Sequence, residues 1–420
     1  MSRSAIREIQ VSSVSVQRGE VLVPTQIGDP VHGVLICHAA PLVAASLRAK
    51  GWPVRLAELP RCDDASGDAD IMLHLVTCQQ HDGSTAAIAA ATAPGDARGA
   101  AAARSVVDEW AAVCATRTLL MAASPWCSGA LYAASAARQA ASDYRGSGRK
   151  VHVLAPVAIP AETASALSDL GAVIATSLTD VAPGDVVVFP AHGVTAELRT
   201  EAARRGATVV DGTCPLVASA QTVAMRAADR DQQLVLISQP GQAATDPIAS
   251  QAPGHVTVVE TPAKTAALNV NDTRHVSYMM QPGVVLETAA PIVAALRSRY
   301  PAIKAAAPAD LCYAPSDRAG TIYSVALGSD LMLVLGDPQS PDTRQVSAQA
   351  RDSGTRVHVV GDVDDIKSAM LTNIHTIGVA ESTSARAGLA AHVLSALSGL
   401  GRLSVARRRL STEKTNSVLI

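Results

Sequence analysis

The sequence predicts an α/β protein made of repeated strand–helix units, and three observations lead there. Short β-branched runs alternate with stretches of good helix formers. The turns after those runs are rich in Gly, Pro, Asp and Ser, which break strands and open helices. Three turns also carry a cysteine just ahead of a helix, Cys127, Cys214 and Cys312, spaced 87 and 98 residues apart. Units of about 90 residues would place these thiols at equivalent carboxyl edges of their sheets, where open α/β sheets bind ligands. Three such edges can converge on one point around a pseudo-threefold axis.

The stretch from Val186 to Val217 shows the unit most clearly. Val186 to Phe189 reads as a short buried strand, broken by Pro190-Ala-His-Gly193. Thr195 is placed to cap a helix through Arg205, with Gly206 as its left-handed stop. A second apolar run, Ala207 to Val210, ends at Asp211-Gly-Thr-Cys214, and Pro215 suits the first position of another helix. The unit thus delivers His192 after one strand and Cys214 after the next. A helix N-terminus favours thiolate over thiol, and thiolate is the metal-binding form. The plainer reading of Cys214 is a small buried hydrophobe.

Residues 1–112 read as a separate N-terminal α/β domain of unknown role, with strands at Gly33–Cys37, Val54–Leu59 and Ile71–Val76 and a helix over Ala40–Lys50. The Ala, Gly, Asp and Thr-rich stretch 83–103 reads as a surface loop leading into a helix that ends near Cys114. Cys37 and His38 stand at a strand end and read as packing. Units follow at 116–211, beginning with a strand at Thr118–Ala123, at 212–308 and at 309–400. A basic tail, 401–420, reads as a solvated terminus. In the last unit, strand ends carry Gly336-Asp-Pro-Gln-Ser340-Pro-Asp342-Thr343 and Glu381-Ser-Thr-Ser384.

Composition narrows the function. At 420 residues and 48% hydrophobic, the chain has enough apolar material for several cores. One Phe, six Tyr and three Trp leave few stacking platforms for nucleic acid, and 35 basic against 37 acidic residues suggest no polyanion partner. No run reaches a membrane span and the N-terminus lacks a signal-peptide core, so a cytoplasmic location without a membrane partner is expected. Seven thinly spread cysteines suit metal or redox work better than a disulfide framework.

PAHGV at Pro190–Val194, DGTCPLV at Asp211–Val217 and DLCYAPSDR at Asp310–Arg318 resemble the matching blocks of hydroxymethylbutenyl diphosphate reductase, the IspH or LytB family. SPWCSGA at Ser124–Ala130 is similar to that family's first cysteine block. The resemblance covers roughly residues 116–400, in the right order and spacing. It implies three α/β units around a central 4Fe–4S cluster, with Cys127, Cys214 and Cys312 holding three irons and the fourth left open. In the family that iron takes an allylic hydroxyl, and two electrons and two protons remove it as water. Isopentenyl and dimethylallyl diphosphates are the products, and a ferredoxin or flavodoxin is the kind of electron donor implied.

The rest of the family's site is altered. Of three histidines that hold the family's diphosphate only His192 remains, as a donor or proton source. Ala155-Pro-Val-Ala-Ile-Pro160 stands in place of the His-Glu-Ile-Val-His-Asn block. Gln242, Ala243 and Ala244 replace His-Pro-Glu, which removes a second imidazole and the proton-relaying carboxylate. Gln281-Pro282-Gly283 replaces Gln-Thr-Thr. Ser340 and Ser384 match diphosphate-binding serines, but Pro341 and Asp342 replace a Ser-Asn pair, and a carboxylate there repels a diphosphate.

The expected function is therefore a 4Fe–4S oxidoreductase acting on a small molecule at an open iron. His192, Gln242, Ser340, Asp342 and Ser384 line the pocket, and its substrate is changed or bound differently. The alternatives are a non-catalytic iron–sulfur sensor with output through residues 1–112, and a zinc or metal-free structural descendant.

Overall fold

The computed structural model describes residues 4–10, 14–29, 32–59, 63–64, 70–80, 82–154, 159–270, 272–306 and 311–411. The chain forms two compact units, one of residues 1–123 and 322–408, the other of 124–321 and 409–420.

The first unit contains two sheets. Its seven-stranded mixed sheet runs in the order Val54–Leu59, Val21–Asp29, Gly33–Ile36, Thr85–Thr92, Ile71–Gln79, Ser4–Gln10, Asp63–Asp64. Helices Ala40–Ala49 and Ala97–Ala111 pack on it. The stretch read as a loop over 83–103 is corrected here: Thr85–Thr92 is a strand, and every residue from Ala86 to Thr92 is buried. Alanine has low strand propensity, so TAAIAAAT gives no local β signal; burial between neighbouring strands overrides it.

The second sheet of this unit has five parallel strands in the order Arg356–Val360, Leu331–Leu335, Thr376–Glu381, Arg117–Met121, Leu403–Arg407. Leu331–Leu335 is buried at every position, as a central parallel strand must be. Two sequence assignments change. Arg117–Met121, read as the opening of the 116–211 unit, pairs with Thr376–Glu381 instead. An apolar run announces a buried strand without naming its partner. The start of the basic tail is an edge strand, Leu403–Arg407, exposed from Ser404 on and ending in the charged Arg407. A continuous apolar cluster joins the two sheets, from Leu22, Leu42 and Trp110 to Leu333, Ile377 and Val393. Trp110 is fully buried, and its indole N–H donates to Ser46 at 3.0 Å.

The second unit holds two four-stranded parallel sheets. One runs Val173–Ala175, Val151–Leu154, Val186–Phe189, Thr208–Asp211, and the other Val256–Val259, Gln233–Ile237, Val276–Met280, Lys304–Ala305. The βαβ reading of 186–211 holds in detail. The strands pair in parallel, Thr195 Oγ1 accepts from the N–H of Leu198, and Gly206 has φ +67°. Among the described residues no helix is long and apolar enough to cross a membrane.

Asp185 ties the first of these sheets together. Its carboxylate accepts from His152 Nε2 at 3.0 Å and from the N–H groups of Lys150 and Ala182 at 3.1 Å each. Burial alone pushes this carboxyl up, but the His152 and backbone hydrogen bonds outweigh it and hold it below the usual carboxylate range. A depressed carboxyl contributes stability that is full above its unfolded pKa and lost as pH falls through its folded pKa. Asp185→Asn is therefore expected to cost roughly 1–3 kcal/mol near pH 7, with the gap to the parent closing below about pH 4. Urea unfolding of the two proteins at both pH values checks this.

Candidate thiol centre and substrate pocket

The sequence places Cys127, Cys214 and Cys312 at strand-to-helix turns, and the second unit puts all three at helix N-termini. Cys127 caps Ser128–Asp143, its Sγ accepting from the N–H of Ala130 at 3.4 Å. Cys214 caps Pro215–Asp229, with proline at the first helical position. Cys312 lies two residues ahead of Ala314–Leu327, and its sulfur accepts from the backbone N–H groups of Ala314 and Gly283.

Glycines make room for the thiols. A Cβ on Gly129 would lie 2.7 Å from Cys214 Sγ and 3.8 Å from Cys127 Sγ, so these two sulfurs flank the space a side chain would fill. Gly212 is similarly enforced, because a Cβ there would collide with the carbonyl oxygen of Phe189. Burial pushes the Cys312 thiol up; the N–H groups of Ala314 and Gly283 pull it down, while Cys127 and Cys214 raise it further. The three sulfurs are thus close enough for their charges to repel. A cationic group bound between them relieves that repulsion and takes the thiols as thiolates. Among the described residues no three His, Cys, Asp or Glu groups close on a single-ion position.

His192 stands beside this centre along the chain fold. The N–H of Cys214 donates to the carbonyl of Ala191 at 2.8 Å, locking the PAHG turn to the cysteine turn. Gly193, at φ +74°, closes that turn with its N–H on the carbonyl of Pro190 at 2.9 Å. Burial holds the His192 imidazole below its ordinary pKa, so it is neutral near pH 7.

Gln242 is half-buried, its amide 3.4 Å from Gln239 Oε1. Ala244 is fully buried in an apolar cluster with Leu236, Ile248 and Met279. Next to it runs a polar chain that the sequence reading did not pick out: Ser238 Oγ to Thr245 Oγ1 at 2.8 Å, then Thr245 Oγ1 to Gln281 Oε1 at 2.7 Å. The chain ends on an orphan. Gln281 is 2% exposed and its Nε2 has no partner, which leaves one buried polar position for a ligand oxygen. Gln281 was visible in the sequence only as the start of an altered block. Ala155 lies outside the described residues.

The first unit carries a cluster of hydroxyls at the carboxyl ends of Leu331–Leu335 and Thr376–Glu381. Thr343 Oγ1, Ser382 Oγ and Ser384 Oγ lie within 2.8–3.0 Å of one another, and the N–H of Asp337 donates to Ser384 at 3.0 Å. All three hydroxyls crowd the place where a Cβ on Gly336 would stand, at φ +150°. Ser340 precedes Pro341–Arg351 and makes no side-chain cap, so its hydroxyl and the helix N-terminus offer donors to an anion. Asp342 Oδ2 accepts from the N–H of Thr383 at 2.7 Å. A carboxylate of this chain therefore occupies a backbone donor beside Ser384. Ser340, Asp342 and Ser384 are brought to one strand edge as the sequence predicts. Thr343 and Ser382 were missed, although Thr343 falls three residues after Ser340, on the same helical face.

Parallel α/β sheets that set three thiols at helix N-termini define the class, an α/β protein with a three-thiol centre. A family model described as LytB protein matches residues 118–398. The chain is 37% identical over 251 residues to 4-hydroxy-3-methylbut-2-enyl diphosphate reductase 2 of Mycobacterium bovis, covering 59% of this chain and 76% of that one. It is 35% identical over 232 residues to the 4-hydroxy-3-methylbut-2-enyl diphosphate reductase of Cereibacter sphaeroides, covering 55% and 73%. A solved structure of the E-1-hydroxy-2-methyl-but-2-enyl-4-diphosphate reductase from Plasmodium falciparum superposes with TM-score 0.60 at 19% identity, over 71% of this chain and 94% of that one. The chain belongs to the LytB protein family.

Proposed function

We propose that the protein is a 4Fe–4S reductase of this family that dehydroxylates a small substrate, with a pocket changed where relatives hold a diphosphate. The carrying observation is the set of three thiols at helix N-termini, with Cys127 and Cys214 flanking Gly129 and Cys312 near enough to feel both of their charges. Three thiolates fit a cluster with one iron free of protein ligand, which when bound supplies single electrons and an open position for oxygen. An external ferredoxin or flavodoxin is the donor.

The chain's own residues do the rest. His192, neutral by burial, offers one N–H to a substrate oxygen and holds no second proton near pH 7. The orphan amide of Gln281, backed by Thr245 and Ser238, fixes another oxygen. In the first unit, Ser340, Ser384 and the helix N-terminus at Pro341 offer donors to an anion, and Asp342 disfavours a fully ionised diphosphate there. Gln242 replaces a cationic partner with a neutral amide.

Anaerobic reconstitution with iron and sulfide counts, electron paramagnetic resonance and steady turnover with a chemical reductant tests this reading. Sustained turnover of an allylic alcohol supports it. A loaded protein that shows only cluster redox or disassembly sinks it. Gly129→Ala should lower bound iron severalfold, since its methyl displaces the Cys214 sulfur, with little change in circular dichroism.

A further inference from the structure

Two cysteines outside the thiol centre also meet. Cys78 lies near the end of strand Ile71–Gln79, and Cys114 follows helix Ala97–Ala111, its N–H on the carbonyl of Ala111 at 3.1 Å. Their sulfurs are 3.0 Å apart across 36 residues of sequence. That is only about 1 Å beyond a disulfide bond of roughly 2.05 Å, so small side-chain rotations close it. The two sulfurs face each other, one S–H donating to the other. Cys78 is 6% exposed, whereas Cys114 is half-buried and gives solvent a route to the pair.

We propose that Cys78 and Cys114 are a reversible redox pair, a dithiol that hydrogen peroxide converts to a disulfide bridging the N-terminal sheet and the link into strand Arg117–Met121. The surroundings favour it. The shared proton eases the first ionisation and pushes the second up, so one sulfur is a ready nucleophile and its neighbour a ready resolving thiol. The hydrogen bond with Cys78 and burial push the Cys114 thiol up, and Arg117 offsets this only in part, so Cys78 is the nucleophile and Cys114 the resolving thiol; the Arg117 guanidinium is held by the carbonyl oxygens of Val113, Leu371 and Ile374.

The chemistry balances. One thiolate attacks the peroxide; the O–O bond breaks, an S–O bond forms, and the leaving hydroxide takes a proton to become water. The second thiol then attacks the sulfenic sulfur, forming the S–S bond and releasing a second water. Two sulfurs give up two electrons, and one peroxide becomes two waters. The link is short: the N–H of Ala115 donates to the carbonyl of Leu400 at 3.0 Å, and Arg117 opens the next strand. Oxidation therefore adds a covalent tie between strand Ile71–Gln79 and the segment leading into Arg117–Met121, on top of the apolar cluster that already joins their sheets.

The test uses the full chain, prepared without oxygen and loaded with its cluster. It is exposed to hydrogen peroxide, quenched with catalase, alkylated and digested without reductant. The expected product is a cross-linked peptide pair containing Cys78 and Cys114, two hydrogens lighter than the separate peptides, formed at least roughly tenfold faster than oxidation of Cys37 and abolished by dithiothreitol. In Cys114→Ser, loss of the Cys78 thiol should slow by a similar factor. Full alkylation of both cysteines after peroxide, or their conversion to sulfinic acids without a cross-link, overturns the proposal in the unaltered chain, whatever the variant does.

Discussion

Serine at Cys127, Cys214 or Cys312 is expected to strip most of the iron and the brown colour from the protein, a fall of roughly tenfold or more in bound iron for each single change. Outer-shell changes at metal sites already cost about 10- to 100-fold in affinity, and a lost ligand costs at least as much. The three positions are not redundant, because a cluster with one open iron already lacks a fourth protein ligand. Serine is nearly isosteric, but a hydroxyl ionises far less readily than a thiol and is a poorer ligand for iron. Serine at Cys37, Cys62, Cys78 or Cys114 should leave iron unchanged, which separates ligation from general damage. Iron and sulfide counts after anaerobic reconstitution give the answer. Equal iron in all three variants and the parent would remove the basis for the thiol centre.

How far the sequence foretold this depends on where information resides in the chain. The turns around Cys214 were legible because each part is local: a buried valine run, a capping threonine, a stop glycine and a helix-opening proline. Partner choice was not legible. Arg117–Met121 reads the same whichever sheet takes it, and only long-range pairing with Thr376–Glu381 and Leu403–Arg407 decides. Thr85–Thr92 fails the same way for another reason: alanines carry no strand preference, and burial inside a seven-stranded sheet does the work. At the sheet edge of the first unit, Ser340 and Ser384 could be named from flanking motifs. Thr343, Ser382 and Thr245 could not, because a hydroxyl gains meaning only from the atoms it meets.

The altered pocket leads to the second large effect. The reconstituted protein is expected to reduce 4-hydroxy-3-methylbut-2-enyl diphosphate about a thousandfold or more slowly than a relative with the full set of imidazoles and acid, since general acid–base assistance alone contributes about 100- to 10,000-fold. Two restorations separate the causes. Ala244→Glu should give little rescue and should destabilise the fold, because Ala244 is fully buried among Leu236, Ile248 and Met279 and an unpaired carboxylate there is costly. Asp342→Asn should act differently. Its amide oxygen can still accept from the N–H of Thr383, so the geometry is kept while one negative charge leaves the anion pocket. KM for the diphosphate should then fall roughly tenfold with kcat little changed, and the gain should shrink in high salt, as screening weakens the repulsion that the change removes. Adding Gln242→His should lower KM further, by restoring a donor that can carry charge. Single-turnover reduction with dithionite and a viologen dye under argon, at two ionic strengths, gives the rates. Fast turnover by the unaltered protein together with no effect of Asp342→Asn would show that these substitutions leave diphosphate binding intact, and the protein would then be an ordinary reductase of its family.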